Sequence, residues 1–266
     1  MWNFDWEANK MKGSKKVLLL LLISVVSISL VSCGEIDTMA RIEKDDKVIW
    51  GTNAEFAPFE MRDGEDVIGI DAEIAKKIAE KLGVELVVED MKFDPLPAAL
   101  KSGKIDFIAA GYSKDPDRER EMTFSKSYFK AVQAIIVEES NDEIQGVKDL
   151  EGKKIGVQNG TTGDIISTED IEGAYVHRYN NGLEAVLDLQ NGNLDAVVID
   201  VLPAQMLVAE NDGVKILDER AGDEESYVIA VRKGDEELIE VINEVLDEML
   251  QSGEIDELVN KYSIGE

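Results

Sequence analysis

Strand and helix signals alternate along most of this 266-residue chain, and this alternation is the strongest constraint on its fold. Short apolar runs at residues 48–50 and 105–109 predict buried strands. Between them, Ile74 and Ile78 recur at helical spacing. A second series of the same kind begins near residue 154. The pattern predicts an α/β protein with open, mostly parallel sheets that are flanked by helices.

A weak internal repeat links the two series. Residues 100–106 (LKSGKID) match residues 189–195 (LQNGNLD), and each is predicted to be a helix end, a Gly stop and a strand start. The same offset places Gly111 at the position of Asp200. One interpretation is two similar lobes whose strand ends face a shared cleft. The other is a common turn that recurs by chance.

Two extended, β-rich runs are predicted to cross between the lobes. They lie at residues 128–137 and 223–230. The first lobe would then hold residues 45–127 and 228–266, with residues 128–227 inserted as the second lobe. Two crossings predict a hinge rather than a flexible linker.

The amino terminus has the features of an export signal. Three lysines at positions 12, 15 and 16 precede an apolar run at residues 17–31, which is shorter than a membrane span requires. The run ends at Cys33, within a sequence that resembles the bacterial lipoprotein processing box. We therefore predict a signal peptide at residues 1–33, a lipidated Cys33 and a tether at 34–46, with Met11 as a second candidate for the initiator.

Composition excludes several classes of function. The net charge is −28, and a surface this acidic would repel the phosphates of a nucleic acid. Cys33 is the one cysteine, so an intramolecular disulfide or a cysteine-rich metal site is excluded. His177 is the one histidine, and its strand-like surroundings predict a surface or packing role. No metal or other cofactor is expected.

Four short segments lie where a predicted strand gives way to a loop, the edge at which open α/β sheets bind ligands. They are residues 52–60, 110–113, 156–163 and 197–200, with Arg118 just beyond the second. Together they supply one cation, one anion, hydroxyl groups, backbone N–H groups and aromatic faces. These groups could hold a free amino acid by both of its charged ends.

An ordered set of motifs adds to this interpretation: FAPFE at 56–60, GID at 69–71, DFIAAG at 106–111, DRER at 117–120, FS at 124–125, GVQ at 156–158, GTTG at 160–163, and DAV at 195–197 ahead of Asp200. With this set, the chain resembles the family 3 solute-binding proteins of bacterial ABC importers over nearly all of residues 47–263. The resemblance implies a two-lobed periplasmic-binding-protein fold of type II with a two-segment hinge. It also implies a monomer that closes on one amino acid and delivers it to a permease and its ATPase subunits.

The resemblance assigns a role to Arg118. From the residues alone, Arg118 is a solvated charge in the acidic run 115–121. The family places an arginine at this spacing, which implies that the guanidinium binds the ligand carboxylate as a bidentate fork. Thr161 and Thr162 start a predicted helix after a Gly-rich turn, where free N–H groups favour the same carboxylate.

Asp200 is expected to bind the ligand ammonium group. The Ser113 hydroxyl and a carbonyl in the Ala110-Gly111 segment would assist it. An aspartate before a helix at Val201 could instead cap that helix, or do both.

The remaining candidates concern the ligand side chain. Phe56 and Phe93 are proposed to cover it, on the strength of the family positions alone. Asn53, Glu55 and Gln158 lie where family members vary with specificity. Glu55 beside an aromatic ring would suit a cationic side chain, so a polar or cationic L-amino acid is favoured.

Two other classes of function remain open on this fold. One is a cyclohexadienyl dehydratase acting on prephenate or arogenate, for which Glu55 would be the general acid. The other is a subunit that presents its ligand to a membrane sensor. For the binding protein itself, we expect export and lipid anchoring to the outer face of the cell membrane, which is the periplasmic side if two membranes are present.

Overall fold

The computed structural model describes residues 37–263, and strands alternate with helices through this part of the chain. The strands are β1 (Lys47–Thr52), β2 (Glu55–Phe56), β3 (Glu60–Asp63), β4 (Asp66–Ile68), β5 (Glu85–Asp90), β6 (Phe107–Ile108), β7 (Met122–Phe124), β8 (Phe129–Glu138), β9 (Lys154–Gln158), β10 (Tyr175–Tyr179), β11 (Ala196–Asp200), β12 (Val214–Tyr227) and β13 (Ala230–Arg232). The helices are α1 (Thr38–Asp45), α2 (Ile70–Leu82), α3 (Leu96–Lys101), α4 (Pro116–Glu121), α5 (Thr162–Glu169), α6 (Gly182–Gln190), α7 (Val201–Glu210), α8 (Glu236–Ser252) and α9 (Glu254–Tyr262), with a 3-10 turn at Val147–Leu150.

Two five-stranded sheets form the framework. The first has the order β5-β1-β6-β13-β7 and the second the order β10-β9-β11-β8-β12. In each sheet, one central strand pairs in parallel with both of its neighbours, β1 in the first and β9 in the second. The α/β class with helix-flanked sheets is confirmed.

Both sheets are mixed, with equal shares of parallel and antiparallel pairing. In the first sheet β13 runs antiparallel to β6 and β7, and in the second β8 runs antiparallel to β11 and β12. The antiparallel strands are those that follow or adjoin the crossings between the sheets.

The internal repeat has the same structure in both copies. Gly103 and Gly192 end their helices with φ of +76° and +72°, in the left-handed region that favours glycine. The Asp106 carboxylate then accepts the N–H of Ile49 at 2.7 Å, and that of Asp195 accepts the N–H of Lys154 at 2.7 Å. The two aspartates therefore fix equivalent strands to each sheet, and the repeat is more than a recurring turn.

The two crossing segments run side by side. The N–H of Tyr128 donates to the carbonyl of Tyr227 at 3.1 Å, and the N–H of Ser125 donates to the carbonyl of Ile229 at 2.9 Å. The ring of Tyr227 packs against Phe59, with ring centroids 4.9 Å apart. The crossings therefore form one paired unit. The lobe boundaries at residues 45–127, 128–227 and 228–266 stay a prediction.

Helix α1 differs from the predicted tether at 34–46. Its Ile42 is buried in the apolar core of the first sheet. Arg41 pairs with the buried Asp106, and Arg232 donates to the hydroxyl of Thr38. These contacts make α1 part of the folded domain. The predicted signal peptide, Cys33 and the alternative start at Met11 lie outside the described residues. In residues 37–263, the helices are too short or too polar to cross a bilayer.

Leu246 and Leu250 on α8 provide a matched test of core packing. Leu246 is fully buried in the core that α2 and α8 share, whereas Leu250 is 42% exposed. Removing a buried leucine side chain leaves a cavity, so we expect Leu246→Ala to lower the free energy of unfolding by about 2 to 5 kcal/mol. Leu250→Ala should cost less than about 1 kcal/mol. Denaturant unfolding measures both, and equal losses would contradict this account of the core.

Candidate functional site

A cavity of about 260 Å³ lies between the ends of strands from both sheets. Ten residues line it, and all ten are among those predicted from the sequence: Phe56, Phe93, Ala110, Gly111, Ser113, Arg118, Gln158, Thr161, Thr162 and Asp200. The predicted residues Asn53 and Glu55 do not line it. The cavity therefore brings the proposed cation and the proposed anion to one place.

Gly111 forms the wall of the cavity on the first sheet and cannot be replaced without strain. Its φ is +53°, and a Cβ at this position would lie 2.6 Å from the ring of Phe56. The N–H of Gly111 donates to Asp71 Oδ2 at 2.8 Å. Asp71 Oδ1 accepts the hydroxyl of Tyr128 at 2.7 Å. Asp71 therefore fixes the loop that carries Ala110, Gly111 and Ser113.

Arg118 lies on the short helix α4, which Asp115 caps by accepting the N–H of Arg118 at 3.0 Å. The guanidinium packs on the face of Tyr112, 4.3 Å from the ring centroid. Its Nε pairs with Asp115 Oδ2 at 2.9 Å. One terminal nitrogen donates to the carbonyl of Ser113 at 2.6 Å and the other to the carbonyl of Gly160 at 2.8 Å.

Arg118 therefore forms the local ion pair that the residues alone suggest and also contacts the cavity. Each terminal nitrogen of a guanidinium carries two N–H groups, so each retains one for a further acceptor. The bond to Gly160 reaches the loop after β9, which belongs to the other sheet. Arg118 thus connects the two walls of the cavity.

The opposite wall begins at the start of α5. Thr161 is the N-cap residue and Thr162 the first helical residue, as the sequence predicts. The hydroxyl of Thr161 donates to the carbonyl of Gln158 at 2.8 Å, which closes the turn. The N–H groups in the first turn of a helix have no intrahelical acceptor, so this end of the cavity favours an anion.

Asp200 is buried at the carboxyl end of β11, and α7 begins at the next residue. Its side chain makes no capping hydrogen bond to α7, so the capping role considered for it is absent. Its Oδ1 has no hydrogen-bond partner in residues 37–263. Burial and the neighbouring Glu225 raise the pKa of the Asp200 carboxyl to about 7, although Tyr227 and Gln133 lower it.

A second pair of acids lies behind the loop of Gly111. Glu60 and Asp71 are fully buried. Burial raises the pKa of Asp71 to about 6, against the opposing hydrogen bonds from Gly111 and Tyr128. Burial and the adjacent Asp71 raise the pKa of Glu60 well above its ordinary value. The folded chain therefore favours the protonated form of Glu60 more strongly than the unfolded chain does.

Asn53 and Glu55 link the two walls instead of lining the cavity. Gln158 Nε2 donates to Asn53 Oδ1 at 2.8 Å, and Asn181 Nδ2 donates to Glu55 Oε1 at 2.9 Å. Lys92 pairs with the other oxygen of Glu55 at 2.9 Å. Burial tends to raise the pKa of Glu55, but hydrogen bonds from Lys92 and the two asparagines hold it below its ordinary value.

Several residues of the site were missed by sequence reasoning. Tyr112 supplies the face on which Arg118 rests, and the carbonyl of Gly160 accepts its hydrogen bond. Both residues lie inside motifs that were recognised, but neither role has a sequence signal, because a buried Tyr and a turn Gly are common. Asn181 and Glu225 lie outside the recognised motifs and depend on long-range packing.

The described sequence and site match a known family. A family model for the bacterial extracellular solute-binding proteins, family 3, matches residues 48–266. This chain belongs to that family.

Two curated relatives in this family have names that refer to amino acids. The chain is 34% identical over 258 residues to the arginine-binding extracellular protein ArtP of Bacillus subtilis, covering 95% of this chain and 99% of the relative. It is 32% identical over 255 residues to a probable histidine-binding protein of Campylobacter jejuni, covering 94% and 99%. The similarity therefore extends over nearly the full length of both relatives.

Solved structures of the family superimpose on the model. The substrate-binding protein AbpA of Streptococcus pneumoniae, bound to L-arginine, gives a TM-score of 0.80 at 31% identity and covers 84% of this chain and 96% of its own. An ancestral amino acid-binding protein described as a precursor of cyclohexadienyl dehydratase gives 0.79 at 31% identity, covering 85% and 100%. The two-lobed fold of the family is thus also the fold of this chain.

The pair formed by Glu60 and Asp71 predicts a pH dependence of stability. Both carboxyls bind protons more tightly in the folded chain than in the unfolded one, so the folded state loses free energy as pH rises from about 4 through the folded pKa values. We expect the free energy of unfolding to be lower at pH 8 than at pH 5, and Glu60→Gln to reduce that loss because it removes one of the two carboxyls with a raised pKa.

Urea unfolding at the two pH values measures the effect. Glu65→Gln, in an exposed turn, is the control for the loss of one negative charge. Equal pH dependence in the two variants would contradict the raised pKa of Glu60.

Proposed function

We propose that this chain is the substrate-binding component of an ABC importer, and that it binds one free L-amino acid in the cavity and delivers it to the permease. The observation that carries the proposal is the pairing of charges around one enclosed space. Arg118 has free N–H groups at one end, and Asp200 has an unpartnered oxygen at the other.

In the proposed complex, the ligand carboxylate binds Arg118 and the first turn of α5 near Thr162. The ammonium group binds Asp200, with the Ser113 hydroxyl and the Gly111 carbonyl close by. Each ligand charge needs a fixed partner because a charge left unpaired in a closed cavity costs several kcal/mol. Phe56 and Phe93 would cover the side chain.

The ligand would hold the two sheets together. Three hydrogen bonds already join the walls, from Arg118 to Gly160, from Gln158 to Asn53 and from Asn181 to Glu55. A ligand that contacts both walls adds free energy to the closed arrangement only, and therefore shifts the population toward it. The closed pair of lobes would be the form that the permease recognises.

A cationic or polar ligand is favoured. The chain has a net charge of −28, which raises the local concentration of cations, and relatives are named for arginine and histidine. Glu55 forms an ion pair with Lys92 and does not line the cavity. We therefore propose that Glu55 forms part of the rim of the cavity and does not bind the ligand guanidinium directly.

We propose that the chain is not a dehydratase, although one structural neighbour is a precursor of such an enzyme. A dehydratase needs a general acid placed against the leaving group. The candidate from the sequence, Glu55, has a lowered pKa and does not line the cavity. Incubation with prephenate or arogenate, followed by analysis for new products, would reveal that activity.

A thermal-shift panel of the twenty amino acids with wild-type protein and Arg118 variants tests the binding site. A ligand at 1,000 times its Kd stabilises the folded state by about 4 kcal/mol, so the binding amino acid should stand out, and L-arginine is the first candidate. Arg118→Ala should abolish the shift. Arg118→Lys should weaken it strongly, because Lys lacks the planar fork.

Arg120→Ala is the matched control. Arg120 lies on the same helix, is exposed and pairs with Asp117. The control should respond to ligand as the wild type does. An undiminished shift in Arg118→Ala would remove Arg118 from the site. If none of the twenty amino acids raises the melting temperature of the wild-type protein, the proposed function is overturned.

Export and lipid anchoring at Cys33 belong to the same proposal. The apolar run at residues 17–31 and the cysteine that follows support it. Two or three acyl chains hold a folded domain firmly at a membrane. We expect Cys33→Ala to move the expressed protein from the membrane fraction to the soluble extracytoplasmic fraction. Wild-type protein in the soluble fraction, or a variant that stays with the membrane, would contradict lipidation. A ligand-presenting role for a membrane sensor would require the same anchor.

A further inference from the structure

Glu225 is a half-buried acid close to Asp200 that the proposed binding cycle does not use. It lies near the end of β12, after an irregular stretch of that strand. Ala221 pairs with Gln133 and Glu225 pairs with Ala131, so β12 uses four residues where β8 uses two. The extra residues place the Glu225 side chain beside Gln133, whose Nε2 donates to Glu225 Oε1 at 2.7 Å.

Gln133 also lies next to Asp200. The two residues are directly opposite each other in the antiparallel pairing of β8 and β11, so their side chains share one face of the sheet. Asp200 and Glu225 therefore flank a single amide. An amide nitrogen has two N–H groups, and these can serve both carboxylates but neutralise neither.

No cation offsets the two acids. No ion pair in residues 37–263 includes Asp200 or Glu225, and each has one buried oxygen without a hydrogen-bond partner, Oδ1 of Asp200 and Oε2 of Glu225. Two carboxylates this close in a poorly solvated place cannot both be ionised at low cost. Glu225 is moreover the strongest charged influence on Asp200, and together with burial it raises the pKa of Asp200 to about 7.

The other groups around the pair do not supply the missing charge. Tyr227 on β12 and Glu60 on β3 face Asp200 from the side of the crossings. Burial raises the pKa of both groups well above the ordinary values, and neither group carries a positive charge in any protonation state. Arg118 lines the same cavity but is bonded to Asp115, Ser113 and Gly160.

Glu225 also has a route to solvent. It lines a separate surface cavity of about 760 Å³. The charged residues that share this cavity are Lys114, Asp115, Glu119, Asp223 and Glu224. Lys114 pairs with Glu119, so this side is acidic overall.

We propose that Glu225 is a second acid of the ammonium site, that its carboxylate favours a proton on Asp200 in the empty cleft, and that the bound ammonium group displaces this proton to solvent. The inference rests on the proposed function, because it assigns the ammonium group to Asp200. The proton leaves a carboxyl oxygen and passes to water or buffer, and no other bond changes. Glu225 would act as a positioning residue that sets the charge of Asp200 and makes affinity depend on pH.

The expected effects follow from the half-titration of the pair near pH 7. Binding should release about 0.5 proton per ligand at pH 7 and close to one proton at pH 6. Because the protonated form must lose its proton first, affinity should be about fivefold weaker at pH 6 than at pH 7. Ordinary amino acid ammonium groups stay charged over this range.

Isothermal titration with L-arginine in two buffers of different ionisation enthalpy measures the released protons directly. Glu225→Gln keeps the hydrogen bond from Gln133 but removes the second acid. We expect it to release fewer protons than the wild type at pH 7 and to show a smaller change in affinity between pH 6 and pH 7, because burial alone then raises the pKa of Asp200. Glu224→Gln is the matched control, since Glu224 is an exposed neighbour that pairs with Lys130, and it should match the wild type. Equal proton release in wild type and Glu225→Gln would overturn the inference.

A measurement without ligand decides the question if L-arginine does not bind. The proton on Asp200 makes the empty wild-type protein less stable as pH rises from about 5 to 8, because the folded state must give up a proton that the unfolded state has already lost. The melting temperature of Glu225→Gln relative to wild type should therefore rise over this range, while that of Glu224→Gln should not. Glu60 and Asp71 are present in all three proteins and cancel in the comparison. A constant difference for Glu225→Gln would refute the effect of Glu225 on this proton, whereas failure of arginine binding alone would count against the proposed ligand.

Discussion

The buried carboxylate of Asp71 is the contact on which the geometry of the cavity depends. Asp71 lies in the first turn of helix α2. Its carboxylate accepts hydrogen bonds from the N–H of Gly111, on the loop that lines the cavity, and from the hydroxyl of Tyr128, where the chain leaves the first sheet. A buried carboxylate needs such partners because an unsatisfied one is costly. The requirement ties three distant parts of the chain together. It also explains why Asp71, an aspartate in the first turn of α2, makes no capping contact there.

Much of the fold could be predicted from local patterns. The alternation of strands and helices, the repeat around Asp106 and Asp195, and the helix starts at Thr162 and Val201 each have a short-range signal in the sequence. The lining of the cavity could be predicted because strand ends meet at one edge of a sheet. The particular role of Arg118, however, came from the family resemblance, since an arginine in an acidic run is ordinarily a solvated charge.

The remainder depends on contacts that join distant segments. The irregular register of β12 that brings Glu225 to Gln133 has no local signal, because it is set by the pairing of two strands. Asn53 and Glu55 were expected to line the cavity, but their side chains instead accept hydrogen bonds from the amides of Gln158 and Asn181 on the opposite wall. Helix α1 was expected to be a tether because its sequence is polar. It is ordered by the burial of Ile42 and by a bond from Arg41 to the repeat aspartate of the first sheet.

The side-by-side crossings have a consequence for the motion of the two halves. Backbone bonds join Tyr128 to Tyr227 and Ser125 to Ile229, and the strands continue from these bonds into opposite sheets. Two crossing segments that are hydrogen-bonded to each other resist twisting and sliding of the lobes. The motion that costs least is then a rotation of one lobe relative to the other about the axis of the paired segments. A ligand then has only one angle to restrict, so little rotational entropy is lost when the halves meet. Nearly all of the contact free energy is available to hold the solute.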